Sequence, residues 1–367
     1  MGYDRPRFNW NDWRWQLTNR ITTVDELRQV IPMTDEEAVA AERAARRFPM
    51  AITPYYLGLM DRDDPNCPIR RQVVPTGDEL DDPHGVPDPL AEVQQSPVPN
   101  VIRIYPDRVA FTVLDACPIS CRFCFRKRMF DPATDPAPQG FLDEGIRYIV
   151  AHPEIRDVLV TGGDPLIAAD AWIERLLVRL RAIDHVEIIR LGTRVPAALP
   201  QRVTPELCEL LERFHPIWIN THFNHPKELT PEAIRACDRL ARAGIPLGNQ
   251  TVLLKGINDD PEVMRRLVHG LLRARVRPYY LFQCHLVEGT RHFRTPIERG
   301  IEITRRLRGH TSGLANPLFV VDTPRGKVPI LPHAGWIERD GDEVVLETYD
   351  GHVWREWNPP DDQRMSG

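Results

Sequence analysis

From about residue 109 to residue 288 the chain alternates between short apolar runs and longer amphipathic stretches. The runs read VAFTVLD, DVLVTGG, VEIIRLGT, IWINTHF, LGNQTVLL and YYLFQCHL, and after a longer first gap they return about every 30 residues. That period is the length of one β-strand plus a crossover helix. The intervening segments, such as TPELCELLERF, TPEAIRACDRLARAG and DPEVMRRLVHGLLRARV, have helical spacing and open on a Thr-Pro-Glu or Asp-Pro-Glu start signal. Six βα units imply an α/β protein whose parallel sheet curls into a partial, TIM-like (β/α)6 barrel, with its working groups at the C-terminal ends of the strands.

The flanks follow different patterns. Residues 1 to about 74 are expected to be mostly helical, because TTVDELRQVI and MTDEEAVAAERAARRF each begin with a capping signal. Pro75 to Asn100 holds six prolines without a regular period, which fits an extended crossing segment. Residues 311–367 offer one more apolar strand, LFVVDTP, and then a polar, β-rich end. The expected division is a helical module with its linker over 1–100, the barrel over 101–310 and a C-terminal segment over 311–367.

A formal net charge of −5 with 42% hydrophobic residues excludes a basic nucleic-acid coat and a disordered acidic tail. No apolar run approaches the roughly 18 residues that a bilayer span needs, and MGYDRPRFNW has no apolar leader region. A cytoplasmic protein with no membrane and no nucleic-acid partner is expected. Seven cysteines, an odd number, argue against a disulfide framework. Lysine occurs only at 127, 227, 255 and 327 among 47 basic residues, so a lysine in a suggestive setting stands out.

Three of the cysteines, Cys117, Cys121 and Cys124, follow the first strand as Cys-x3-Cys-x2-Cys. Three thiolates on one loop suit three irons of a 4Fe–4S cluster and leave the fourth iron open to an outside ligand. A zinc knuckle prefers paired Cys-x2-Cys arms, and Cys208, Cys237 and Cys284 are too scattered to complete one. Gly162, Gly163 and Asp164 end the second strand, where Gly-Gly-Asp alone would be an ordinary turn.

This pairing, with Phe123 before the last cysteine, resembles the radical S-adenosylmethionine (SAM) superfamily. A longer series of segments, from WNDWRWQ and MAITPYY through SPVPN, YPDRV, TGGDPL, NTHFNHP, GNQTVLLKGIND and HFRTP to FVVDTP and KVPILP, is similar to the lysine 2,3-aminomutase family over about residues 9–350. The resemblance implies that SAM chelates the open iron, and that pyridoxal 5′-phosphate (PLP) holds the migrating nitrogen as an imine. It implies PLP binding by Lys327, with Tyr105 and Arg108, and SAM contacts by Phe123, Gly162, Gly163, Asp164, His222 and Gln250. It also implies pairing of Arg126 with the substrate carboxylate, and a side-chain pocket formed by His285 and Asp322. Bland readings stand beside these: a solvated turn lysine at 327, a structural ion pair at Arg126, and a strand cap at Tyr105 or Arg108.

Several positions depart from the family pattern. His285 stands where lysine-specific members have a second aspartate, and Asp322 is retained. Ile104 replaces an arginine on the phosphate side, although Arg103 is adjacent, and the glycine run before Lys327 is reduced to PRGK. Asp260 takes the first position of the family's interprotomer zinc site and no cysteine follows Cys284, so no structural zinc is expected. The function implied is a radical SAM, PLP-dependent amino acid 2,3-aminomutase, an isomerase, with L-lysine first. The alternatives are the same chemistry on arginine, glutamate or another amino acid, or on lysine destined for a translation factor. More distant rivals are a radical SAM enzyme without PLP chemistry and an iron–sulfur electron carrier. A flavodoxin- or ferredoxin-type reductant and a homodimer or higher homo-oligomer are the expected partners.

Overall fold

The computed structural model describes residues 9–130, 139–331, 336–340 and 343–358. Nine strands form one sheet in sequence order: β1 (Val101–Ile102), β2 (Arg108–Leu114), β3 (Asp157–Gly162), β4 (Ile188–Gly192), β5 (Ile217–Thr221), β6 (Leu247–Leu253), β7 (Arg277–Gln283), β8 (Leu318–Thr323) and β9 (Gly326–Pro329). From β2 to β8 every neighbour is parallel, and β1 and β9 pair antiparallel at the two edges. The α/β partial barrel expected from the period is present, with helices such as Asp170–Arg181, Pro231–Arg242 and Pro261–Arg273 in the crossovers. The strand LFVVDTP is part of the same sheet, because β8 pairs with β7 through Tyr280↔Leu318 and Phe282↔Val320.

Strand alternation explains why this sheet encloses a site. Val158 and Val160 of β3, Ile189 and Leu191 of β4, and Ile217 and Ile219 of β5 are buried in one cluster with Leu176, Leu207 and Leu240 of the helices. The alternate residues Asp157, Leu159 and Thr161, Arg190 and Gly192, and Trp218 and Asn220 point the other way, into a cavity of about 700 Å³. Burial against the helices thus fixes the register, and the opposite face is left to polar groups and ligand space.

The N-terminal helices form where the caps predict. Thr23 with Glu26 and Thr34 with Glu37 make capping boxes at the starts of Val24–Arg28 and Asp35–Arg47. Leu27, Ile31, Met50, Ile52 and Tyr56 bury against Ile119 and Ala198 of the barrel. A second, three-stranded antiparallel sheet, β10 (Trp336–Asp340), β11 (Glu343–Glu347) and β12 (Val353–Trp357), supplies the β-rich end, and residues 359–367 lie outside the described residues. Among the described residues no helix is long and apolar enough to cross a membrane.

The proline-rich stretch runs along the loop after β7, where Val86 bridges Val287 and Asp82 accepts hydrogen bonds from Arg294 at 2.6 and 2.8 Å. It also buries Glu79, which accepts from Arg122 Nε (2.9 Å) and Nη2 (2.8 Å) and from Lys127 Nζ (3.0 Å). All three residues are at most 5% exposed. Burial alone would raise the carboxyl pKa of Glu79, but the two cations hold it below its ordinary value. Glu79→Ala strands two buried cations and is expected to lower unfolding stability by about 3–5 kcal/mol, read by chemical denaturation; a loss under 1 kcal/mol contradicts this assignment.

Candidate active site

The three clustered cysteines sit on the loop after β2, and the N-terminal module holds that loop through its backbone. Arg20 Nη1 donates to the Cys117 carbonyl at 2.8 Å, Ser120 N to the Ala51 carbonyl at 2.8 Å, and Arg122 N to the Gln72 carbonyl at 2.8 Å. These contacts tie residues far apart in sequence and give the helical module a task, which is to shape the cysteine loop. All three thiols are free and line the large cavity. Burial pushes the Cys124 thiol up to about 11, with Cys121 adding to the effect. Burial, then Asp164 and the other two thiols, pushes Cys117 up as well. Three sulfur donors on one loop, free and facing one cavity, make a donor set suited to a strongly cationic group. Among the described residues no three His, Cys, Asp or Glu side chains are grouped to hold one metal ion; a 4Fe–4S cluster takes one thiolate per iron over a larger body.

The glycine pair has a steric explanation. Gly162 adopts φ +115°, and a Cβ there would strike the Leu114 carbonyl; at Gly163 a Cβ would strike the Ala116 carbonyl. Gly163 N donates to the Leu114 carbonyl and Asp164 N to the Ala116 carbonyl, so the end of β3 is pressed against the start of the cysteine loop. The Asp164 carboxylate is already engaged. It accepts from Thr193 Oγ1 (2.7 Å), Leu166 N (3.1 Å) and Arg194 N (2.6 Å), joining the ends of β3 and β4.

Phe123 stacks on His222 with ring centroids 5.6 Å apart and planes 13° from parallel. Both rings and Gln250 line the cavity beside the thiols. Burial holds His222 well below its ordinary pKa, and the Arg194 charge adds to this, so the ring is neutral. Arg194 itself was missed in the sequence, where LGTRVP reads as a plain strand-to-helix turn. Its guanidinium donates to Cys121 Sγ at 2.6 Å, Glu228 Oε1 at 2.7 Å and the Tyr56 hydroxyl at 3.1 Å.

At the other side of the cavity β8 and β9 form a hairpin with Asp322 opposite Lys327 and Thr323 opposite Gly326. The turn needs Gly326, at φ +111°, because a side chain there would meet the ring of Tyr105. The Tyr105 hydroxyl accepts from Lys327 N at 2.8 Å, so the loop between β1 and β2 closes on the β8–β9 hairpin. Arg108 covers the same ring, its guanidinium carbon 3.7 Å from the centroid. Lys327 Nζ lies 3.2 Å from Asp322 Oδ1; Lys327 is exposed, as are Lys227 and Lys255, but of these three it alone lines the cavity. His285 Nε2 lies 3.3 Å from Asp322 Oδ2. Burial would raise the Asp322 pKa, but the His285 hydrogen bond and the Lys327 charge keep it below its ordinary value. The carboxylate only accepts, so the hydrogen sits on His285 Nε2. Phe125 packs over His285 with centroids 4.8 Å apart.

Arg126 also lines the cavity, with its guanidinium paired to the buried Glu92 at 2.7 Å. Arg103 does not stand in for the residue replaced by Ile104: it bonds Glu154 (2.7 Å), the Tyr148 hydroxyl (3.1 Å) and the Pro106 carbonyl (2.8 Å), away from the cavity that Ile104 lines. The cavity thus unites all of the expected residues, although they span more than 200 positions.

A thiol triad after the first parallel strand and a glycine turn after the second define a radical SAM protein, and the "Radical SAM superfamily" family model matches residues 111–268. A "Lysine-2,3-aminomutase" family model matches residues 304–366, which include the β8–β9 hairpin. The L-lysine 2,3-aminomutase of Fusobacterium nucleatum subsp. nucleatum is 50% identical, over 94% of this chain and 81% of that protein. That of Clostridium subterminale is 50% identical, over 94% and 83%. The glutamate 2,3-aminomutase of Clostridioides difficile is 45% identical, over 94% and 82%. The chain belongs to the lysine 2,3-aminomutase family. The radical SAM match supports a 4Fe–4S cluster and SAM as its cofactors.

Proposed function

We propose that this chain is an amino acid 2,3-aminomutase that moves the α-amino group of L-lysine to the β-carbon. The observation that carries the reading is one cavity lined on one side by Cys117, Cys121 and Cys124 and on the other by the amine of Lys327. When bound, the cluster with SAM supplies a carbon-centred radical for hydrogen abstraction, and PLP supplies the carbonyl that carries the migrating nitrogen.

The chain's own groups bind, orient and exclude water. The three thiols would hold the cluster, leaving one iron for SAM, while Phe123, His222 and Gln250 flank the SAM side. Gly162 and Gly163 keep backbone, without side chains, next to that group. Lys327 is the amine for PLP, with Tyr105 fixing its backbone and Arg108 as the nearby cation for the phosphate. Arg126 is the donor for the substrate carboxylate, since a planar guanidinium matches a carboxylate at two points. Asp322, ionised, is the anion for the distal ammonium.

Substrate choice depends on His285. It occupies one oxygen of Asp322, so a distal cation meets one carboxylate in place of two. Arginine is the second reading, because Phe125 and Phe282 border the same pocket and a guanidinium stacks on aromatic rings. His285→Asp is expected to lower the KM for L-lysine by roughly 10-fold, the value of one charge-assisted hydrogen bond. An unchanged KM would place the distal ammonium elsewhere.

The test of function is anaerobic. Protein reconstituted with iron, sulfide, SAM and PLP and reduced with dithionite is given lysine, arginine, glutamate and alanine separately, with NMR detection of a β-amino isomer. Conversion of lysine supports the proposal; conversion of arginine alone favours the second reading; conversion of none sinks both.

A further inference from the structure

Glu92 sits in the proline-rich crossing segment and is only 4% exposed, a depth at which an acidic side chain is almost always paired. Its carboxylate accepts from Arg126 Nε at 3.0 and 3.1 Å and from Arg126 Nη2 at 2.7 Å. Arg128 Nη2 reaches the same carboxylate at 3.3 Å and Asp88 at 3.1 Å. The Phe125 ring lies 4.8 Å from the Arg126 guanidinium carbon, and Arg126 Nη1 donates to Thr161 Oγ1 at 3.3 Å. The side edge of the guanidinium, Nε with Nη2, is therefore taken, and one face is covered. With Nη1 donating one hydrogen to Thr161, its other hydrogen and the second hydrogen of Nη2, at the end edge, are left for a ligand in the cavity that Arg126 and Thr161 line together.

We propose that Glu92 is a positioning residue that locks the Arg126 guanidinium so that its end edge receives the α-carboxylate of the amino acid substrate. Glu92 makes no contact with the substrate. Orienting the guanidinium during folding removes that entropy cost from binding. The arrangement also keeps Arg126 paired while the site is empty. The inference rests on the proposed aminomutase activity.

The test compares wild type, Glu92→Gln and Glu92→Asp. Steady-state turnover gives KM and kcat for L-lysine, and calorimetric titration of PLP-loaded protein without SAM compares L-lysine with L-lysinamide, which lacks the carboxylate charge. Glu92→Gln is expected to raise KM by about 10-fold with kcat changed by less than about 3-fold, and to weaken lysine but not lysinamide. Glu92→Asp recovers part of the lysine preference. In the Arg126→Gln background, Glu92→Gln produces no further change in the lysine-to-lysinamide ratio. A lower KM would make Glu92 a competitor for the carboxylate site and overturn the inference, as would equal weakening of both ligands. Wild type that binds lysine but forms no β-isomer overturns the aminomutase reading alone, since the ligand comparison still reports on Glu92; wild type that binds no amino acid overturns both.

Discussion

Lys327→Ala is expected to reduce amino migration by at least about 10³-fold while leaving iron content and SAM binding at wild-type levels. Among the described residues Lys327 is the one lysine lining the cavity, and its backbone nitrogen is pinned to the Tyr105 hydroxyl at 2.8 Å. The substitution keeps that backbone bond and the pairing of β8 with β9, so the loss reports on the amine. Absorbance above 400 nm from protein-bound PLP disappears in the variant. An active Lys327→Ala enzyme that retains this band would show that another amine carries the cofactor; Lys127 is a poor substitute, being buried and bonded to Glu79.

Cys124→Ala has the other large effect. With one of three thiolates gone, the reconstituted protein is expected to lose most of its iron and sulfide, and SAM cleavage under dithionite falls by at least about 10³-fold, because no reduced cluster remains to deliver the electron. Cys284→Ala is the control. Cys284 is buried among Phe123, Val252 and Phe293 and outside the cavity lining, so its removal leaves iron content unchanged. Full iron loading of Cys124→Ala would assign the third ligand to another residue.

The parts of this architecture that repeat along the chain were legible in the sequence. The 30-residue period gave the parallel strands, Thr23 and Thr34 announced their helices, and the spacing of Cys117, Cys121 and Cys124 announced the thiol triad. Contacts across large sequence gaps were not legible. Glu92 reads as one acid in a proline-rich linker, yet it pairs with Arg126, 34 positions away. Arg194 reads as a turn residue, and only folding brings it to Cys121, Tyr56 and Glu228. Asp164 follows two glycines at a strand end, and that place gives no sign of the bonds its carboxylate accepts from Thr193, Leu166 and Arg194. Pattern encodes which face of an element is buried; it does not encode which polar groups meet once the elements are stacked.

The most direct test of the central claim follows the nitrogen. L-lysine labelled with 15N at the α-amino group is incubated anaerobically with the reduced, reconstituted enzyme, SAM and PLP, and the product is read by NMR. The account predicts 15N bonded to the β-carbon, with many turnovers per SAM. Label remaining on the α-carbon while SAM is consumed stoichiometrically would contradict it.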